Sequence, residues 1–152
     1  MLLCLQSDQS EDVYPGNTCA AFACVLPERY DLDTHGKGQW FLGLTEITLP
    51  PIKSSKKCEP IYVCCRQCET SSIGRFYKPV VASFSVGEIK RNGFVRFSPV
   101  HYVPLRVDSL EHLSVELCDC RGEIFRELKE SGQPSKCSFD LKWTSVTNPW
   151  RP

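Results

Sequence analysis

The sequence predicts an all-β protein, a single antiparallel sandwich of about eight strands of the jelly-roll type. Short apolar runs with strand-like alternation recur along the 152 residues, and Gly, Pro and Asn turn signals separate them. Helical periodicity is almost absent, and residues 123–130 (EIFRELKE) are the only helical candidate of any length. A chain of this length usually forms one domain, so we expect one sandwich with one core.

The first strand is expected after a loose N-terminal arm. Residues 1–16 are polar and acidic and end in the turn signal Tyr14-Pro15-Gly16, so we predict a flexible arm. From residue 18 onward apolar side chains alternate, and Pro27 is expected to close this strand. One side of it carries Ala20, Phe22, Cys24 and Leu26.

The second strand, residues 38–50 (GQWFLGLTEITLP), is apolar on both faces. Period-two alternation assigns Trp40, Leu42 and Leu44 to a core face, and Phe41, Ile47 and Leu49 to the opposite face. A turn is expected just before it, at residues 36–38, and Pro50-Pro51 end it. Glu46 falls on the core face in this pattern, so we predict a β-bulge at Gly43 that redirects Glu46 outward.

Later strands follow the same signals. The pair Asn92-Gly93 between apolar runs predicts a hairpin, and Pro104 predicts an edge or loop-flanking segment over residues 101–105. The last strand is expected to end before an irregular tail. We therefore divide the chain into an arm at 1–16, a jelly-roll domain at 17–145 and a tail at 146–152. The remaining expected strands are residues 61–65, residues 79–86, the run with Leu113, Val115 and Leu117, and the run with Cys137, Phe139, Leu141 and Trp143 facing inward.

Charge and hydropathy exclude several classes of partner. Lys plus Arg equal Asp plus Glu at 18 each, so the chain lacks the positive field that would hold nucleic acid or a membrane surface. The apolar start, residues 1–5, is too short for a secretory signal, and no run approaches the length of a membrane span. We therefore expect synthesis in the cytosol and reduced cysteines.

No catalytic site is predicted. The three histidines, His35, His101 and His112, are isolated from plausible partners, and neither a Gly-x-Ser-x-Gly elbow nor a Gly-rich phosphate loop is present. We accordingly expect a protein that is not an enzyme, with no catalytic residue and no cofactor.

The ten cysteines leave one alternative open. A C-x-x-C spacing lies within a cluster of four cysteines, as zinc ligands often do, and Cys118-x-Cys120 would supply a second pair on one face of a strand. A single C-x-x-C inside an apolar run favours buried thiols over a structural zinc. The zinc alternative would use Cys58, Cys64, Cys65 and Cys68.

Three segments together resemble a viral family. Residues 17–50 are similar to a strand ending in Leu-Pro followed by a "G-x-W-x-x-G-L-x-E-I-x-x-P" strand, and residues 61–86 to a short strand, a glycine and a proline-opened strand. Residues 97–125 are similar to a Tyr-x-Pro element followed by "I-x-I-x-I-x-D-x-x-G". These segments resemble the penton-type minor capsid proteins of Polinton/Maverick elements and adintoviruses, with related adomavirus and adenovirus-like vertex proteins. The motif positions are Trp40, Gly43, Leu44, Glu46, Ile47, Pro50, Tyr102, Pro104, Leu113, Val115, Leu117, Asp119 and Gly122.

The resemblance implies a structural role. It implies a homopentamer at the five-fold vertices of an icosahedral double-stranded DNA virus or virus-like transposon, beside a double-jelly-roll major capsid protein. Localisation would be the virion, after synthesis in the cytosol and assembly in the host nucleus, without direct contact to nucleic acid or membrane. Cysteines at 118 and 120 and the charged segment after Gly122 depart from the family pattern. The alternatives are a non-viral, domesticated β-sandwich interaction module and a zinc-stabilised binding module.

Overall fold

The structure is a computed structural model that describes residues 1–32, 38–73, 76–128 and 132–145. Over these residues the fold is all-β, as the sequence predicts, and its strands pair in antiparallel sheets. They also include one short helix, at a position where the sequence predicts none. The elements are β1 (Leu2–Gln6), β2 (Ala21–Asp31), β3 (Gly38–Thr48), β4 (Pro60–Cys65), β5 (Ser71–Ile73), β6 (Phe76–Lys78), β7 (Val80–Ser85), α1 (Val86–Asn92), β8 (Phe94–Arg96), β9 (Tyr102–Pro104), β10 (Ser109–Cys118) and β11 (Lys136–Ser145).

Two sheets share one core. Sheet A has the order β1-β11-β3-β8, with β9 also paired to β3, and sheet B has the order β2-β10-β4-β7. A separate hairpin joins β5 to β6. Of the connections between successive sandwich strands, only β4 to β7 and β8 to β9 stay within one sheet; the others cross to the opposite sheet. The count exceeds the expected eight because β1 lies within the expected loose arm and because the three-residue strands β5 and β6 are too short to show alternation.

The core is built from the inward residues of both sheets. Each fully buried Leu, Ile or Phe side chain stabilises the fold by about 1.5–3 kcal/mol relative to an exposed one. These side chains alternate with outward polar residues, as the sequence predicts for β10 and for most of β11. Trp143 departs from the pattern, because it is 38% exposed at the end of β11. Core members include Phe22, Leu26, Leu42, Leu44, Ile47, Ile61, Val63, Leu110, Leu113, Val115, Leu117, Phe139 and Leu141.

The two apolar faces of β3 are reconciled by a bulge, but not at the predicted residue. Opposite β11, Phe139 pairs with Leu44 and Ser138 with Glu46, so the extra residue is Thr45 and the bulge at Gly43 was wrong. The hydroxyl of Thr45 donates a hydrogen bond to the carbonyl of Ser138 at 2.9 Å. One extra residue reverses the alternation, so the strand presents one continuous core face after all. That face consists of Leu42, Leu44, Ile47 and Leu49, with Trp40 half-buried at its start.

The strand β2 continues past Pro27 instead of ending there. Its pairing with β10 jumps from His112–Val25 to Leu110–Tyr30, so Pro27 lies in an irregular stretch of the ladder. A residue without an N–H is tolerated at such an interruption, because no ladder hydrogen bond is required from it.

The expected hairpin at Asn92-Gly93 is wrong, because these residues end helix α1. Ser85 caps the helix, its Oγ accepting a hydrogen bond from the backbone N–H of Glu88 at 3.2 Å. Gly93 closes it with φ of 78°, a left-handed conformation that glycine adopts without steric cost. The capping signal Ser-x-x-Glu is present in the sequence and identifies this helix start.

The N-terminal arm is also not loose. Residues Leu2–Gln6 form β1 at the edge of sheet A, and Ser7 and Ser10 are buried. Further along, the side chain of Asn17 donates to the carbonyl of Ala23 and accepts from its N–H, while Ser10 Oγ accepts from the N–H of Val25. The arm therefore satisfies backbone groups on the open edge of β2, which protects that edge from pairing with another strand.

The helical candidate at residues 123–130 does not form a helix where it is described. Residues 123–128 are irregular, and Ile124 and Leu128 make single bridges to Cys118 and Ile52. Asp119 caps the preceding turn, its Oδ1 accepting from the backbone N–H groups of Arg121 and Glu123. Residues 129–131, the expected turn residues 36–37 and the tail 146–152 lie outside the described residues.

Candidate functional site

The outer face of sheet A brings two motif residues and one further residue, from three strands, into one row. Gly43 pairs with Asp140 of β11 on one side and with Tyr102 of β9 on the other. The ring of Tyr102 lies across Gly43, and its hydroxyl donates a hydrogen bond to Asp140 Oδ2 at 2.7 Å. We call Gly43, Tyr102 and Asp140 the Tyr102 row. The row connects the edge strand β9 to β11, which lies on the other side of β3.

Gly43 is required by this close approach. A Cβ at this position would lie 2.5 Å from Val100 Cγ1 and 2.9 Å from Tyr102 Cδ1, distances that side-chain atoms do not tolerate. The aromatic ring covers the backbone that the missing side chain leaves bare. The presence of glycine at position 43 and of tyrosine at position 102 is thus explained by the same close contact.

The electrostatics of the Tyr102 row follow from its hydrogen bonds. The pKa of Asp140 is lowered, first by the hydrogen bond from Tyr102 and then by the one from the Met1 amino group at 3.0 Å. The pKa of Tyr102 is raised by the same bond, because removing its proton would set a phenolate against a carboxylate. Lys142 Nζ lies 5.1 Å from the centre of the Tyr102 ring, within the range of a cation–π contact.

A second charged contact lies three residues further along β3, at Glu46. The bulge turns Glu46 outward, where its Oε2 accepts from Arg96 Nε of β8 at 3.1 Å. The guanidinium of Arg96 also lies 5.4 Å from the ring centre of Phe94. Opposite charges therefore alternate across this face, which has no single-sign field.

The other motif residues lie in the core, at a strand edge or in a turn, where their roles are structural. Trp40, Leu44 and Ile47 belong to the core side of β3, and Pro50 is buried just after it. Pro104 lies opposite Phe41 at the edge. Leu113, Val115 and Leu117 are core residues of β10, and Asp119 and Gly122 form the turn that follows it, with the Gly122 N–H donating to the Asp119 carbonyl at 3.0 Å.

The four cysteines of the zinc alternative do not converge. Cys58 is exposed in a loop, whereas Cys64 and Cys65 are consecutive residues of β4 and point to opposite faces of sheet B. Cys118 ends β10 and is buried, but Cys120 lies beyond the strand and is exposed, so these two do not share a strand face. Over the described residues, no group of three or more His, Cys, Asp or Glu side chains is placed to hold a metal ion.

Four of the six buried cysteines instead form thiol pairs. Cys64 Sγ lies 3.9 Å from Cys118 Sγ on the outer side of sheet B, and the pKa of Cys64 is raised by this hydrogen bond and by burial. Inside the core, the pKa of Cys68 is raised by its hydrogen bond with Cys65 and by burial. Burial also raises the pKa of Cys137. These three side chains therefore remain neutral thiols and behave as small apolar groups.

The histidines show no catalytic arrangement where they are described. His35 lies outside the described residues, and His101 is exposed. The ring of His112 packs beside that of Tyr14 at 6.3 Å between centres, on the polar side of β10. Its neighbour is thus an aromatic ring rather than a nucleophile.

One feature that sequence reasoning missed is a groove beside the N-terminal arm. Its volume is about 640 Å³, and it lies between residues 7–21 and the stretches 124–128 and 132–134. The half-buried side chains of Ile124 and Leu128 supply apolar surface, Asp8 and Glu11 supply two carboxylates, and Arg126 supplies one positive charge. The two sides are more than 100 residues apart in sequence, so no local pattern marks the groove. We call it the arm groove.

No helix of the described chain has the length and apolar character needed to cross a bilayer. A scan against models of known protein families matches none of them, and a search among curated proteins finds no match.

Proposed function

We propose that this chain is a structural capsid protein, a single-jelly-roll, penton-type minor capsid subunit. It forms homopentamers at the five-fold vertices of an icosahedral double-stranded DNA virus or virus-like transposon. Its partners are further copies of itself and a double-jelly-roll major capsid protein, and its location is the virion, after assembly in the host nucleus. In this role it acts by packing, without catalysis, cofactor, nucleic acid or membrane.

The strand order is the observation that carries this proposal. If β8 and β9 are counted as one interrupted strand and the β5–β6 hairpin is set aside, the sandwich has eight strands. Numbered along the chain, sheet A then has the order 1-8-3-6 and sheet B the order 2-7-4-5. A jelly roll places its eight strands in this order, because a long hairpin of paired strands folds over into two facing sheets.

The fold alone does not select a capsid role, since lectins and cupins also use jelly rolls. The motif residues supply the second support. Gly43 and Tyr102 form one cross-strand contact, and Asp119 and Gly122 form one turn, so residues that resemble the family motifs have connected structural roles.

The surface chemistry of sheet A also suits assembly between identical subunits. Glu46, Arg96, Asp140 and Lys142 place both signs of charge on one face. A ring of identical subunits needs complementary contacts, and a mixed pattern avoids repulsion between like-charged neighbours.

The test is co-expression with the double-jelly-roll major capsid protein of the same genome. We expect mass measurement in solution to give a pentamer, and electron microscopy to show density for the chain at the five-fold vertices of the particles. A protein that stays monomeric and is absent from the purified particles would contradict the proposal. That result would favour the non-viral β-sandwich interaction module.

A further inference from the structure

The arm groove has the chemistry of a peptide-binding site. Ile124 and Leu128, both partly exposed, form apolar surface on one side, and the arm forms the other. Asp8 and Glu11 lie on the arm side, and neither carboxylate takes part in an ion pair with another described residue, although Asp8 Oδ1 accepts a hydrogen bond from Gln6 Nε2. Arg126 lines the opposite side, so the two carboxylates outnumber one positive charge among the lining residues. A fitting occupant carries a large apolar group next to a positive charge.

Residues 146–152 (VTNPWRP) have this composition. Trp150 is followed directly by Arg151, and prolines at 149 and 152 flank the pair. Prolines restrict the unbound chain, so less conformational entropy is lost on binding. Tryptophan and arginine are also the side chains most enriched where binding energy concentrates.

We propose that the arm groove of one copy binds Trp150 and Arg151 of a neighbouring copy. Trp150 packs on the partly exposed side chains of Ile124 and Leu128, and Arg151 lies near the carboxylates of Asp8 and Glu11. The occupant is a second copy of this chain, and the inference deepens the proposed self-assembly, on which it rests.

The length of β11 places this contact between copies. The groove lies next to Pro134, just before β11 begins at Lys136, and the strand ends at Ser145. Ten strand residues span roughly 30 Å, at about 3.3 Å each. Trp150 follows Ser145 by five residues, which reach at most about 17 Å. The tail therefore falls short of the groove on its own chain.

Such a contact joins two different surfaces. One copy supplies its tail and the next supplies its arm groove, so the contact is head-to-tail. Head-to-tail contacts close into a ring when the rotation between copies permits it. The groove and the tail thus supply one link of the proposed pentamer.

The experiment measures binding of a fluorescent peptide of residues 144–152. The receptor is the full chain carrying Trp150→Ala, so that its own tail does not compete. We expect saturable binding of the wild-type peptide. Loss of the tryptophan side chain in a Trp150→Ala peptide weakens binding by about 30-fold or more, the size of an interface hot spot.

A charge exchange locates the peptide in the groove. Adding Glu11→Arg to the receptor is expected to weaken binding by about three- to tenfold, because it sets like charges against each other at an exposed site. An Arg151→Glu peptide should regain affinity on that receptor. Glu28→Arg is the matched control, because Glu28 is an exposed glutamate on β2 that does not line the groove. This receptor should not show the loss of peptide affinity that Glu11→Arg causes.

Two outcomes overturn the inference: equal binding of the wild-type and Trp150→Ala peptides, or an equal loss from Glu11→Arg and Glu28→Arg. A failed proposed function is recognised differently. If the peptide binds with the expected pattern but the chain never enters capsid particles, the contact between copies stands and the capsid role does not. If particles contain the pentamer but the peptide does not bind, the capsid role stands and the contact between the tail and the arm groove does not.

Discussion

Tyr102 reaches across the bare backbone of Gly43 to donate a 2.7 Å hydrogen bond to Asp140. This contact joins β9, a three-residue edge strand, to β11 near the middle of sheet A. A strand this short gains little from ladder hydrogen bonds alone, so the side-chain bridge helps to hold it in register.

Gly43→Ala tests the close approach directly. We expect the added methyl group to push against Val100 and Tyr102 and to lower the free energy of unfolding by about 1–3 kcal/mol, as for other overpacked sites. Urea unfolding measures it. The matched control is Gly16→Ala, where a Cβ would meet nothing within 4 Å and the expected change is within about 0.5 kcal/mol. Equal effects of the two substitutions would show that Gly43 is not sterically required.

Tyr102→Phe tests the electrostatics of the same row. The lowered pKa of Asp140 means that its carboxylate stabilises the fold above the ordinary value of 3.8, and that this contribution is lost as pH falls through the folded-state pKa. Removing the hydroxyl raises the pKa of Asp140 toward that ordinary value.

The variant should therefore be less stable than the wild type at neutral pH, and the difference should shrink as the pH falls below 3.8. Chemical unfolding at a series of pH values from neutral into the acid range measures it. A difference that stays constant over that range would assign the loss to packing and leave Asp140 without a part in it.

Ser85→Ala tests the start of helix α1. Its Oγ accepts from the N–H of Glu88, and loss of an N-cap costs about 1 kcal/mol of unfolding free energy. Ser83→Ala, an exposed position of β7 without a capping role, is the control and should change stability by no more than about 0.5 kcal/mol. Thermal unfolding of both variants decides, and a neutral Ser85→Ala would contradict the cap.

The thiols should react in groups set by exposure. Cys4, Cys58 and Cys120 are exposed and should react promptly with an aromatic disulfide reagent, and Cys19, half-buried, more slowly. The six buried thiols should react only after unfolding, and they are Cys24, Cys64, Cys65, Cys68, Cys118 and Cys137. The readout is the absorbance of the released thiol. Protection of Cys58 that is removed by a chelator would revive the zinc alternative.

Prediction from sequence succeeded in strands where the alternation of apolar and polar residues is the only signal. The alternation of β10 and of Cys137, Phe139 and Leu141 in β11 holds because each side chain chooses between core and solvent. Around Glu46 two rules conflict, because strict alternation places this residue on the core face whereas its charge favours solvent. The pattern therefore predicts a bulge but does not show which residue forms it. Thr45 takes the extra position because its hydroxyl bonds to the Ser138 carbonyl, a partner 93 residues away.

The hairpin expected at Asn92-Gly93 failed for a different reason. Asn-Gly serves a tight turn between strands and the end of a helix equally well, since both need a left-handed residue. The capping signal of Ser85 and Glu88 decides for the helix, but it lies within a run that also has strong strand character. The extended arm was misjudged because the edge strand β1 carries few residues to show alternation.

By itself the sequence determined the all-β class, most strand positions and the residues that face the core, because burial of alternating apolar side chains is a local property of the chain. Only the tertiary structure decided the Tyr102 row, the place of the bulge, the separation of the four cysteines and the arm groove. Each of these joins segments far apart in sequence, and their meeting depends on strand order and register, which no local pattern of residues specifies.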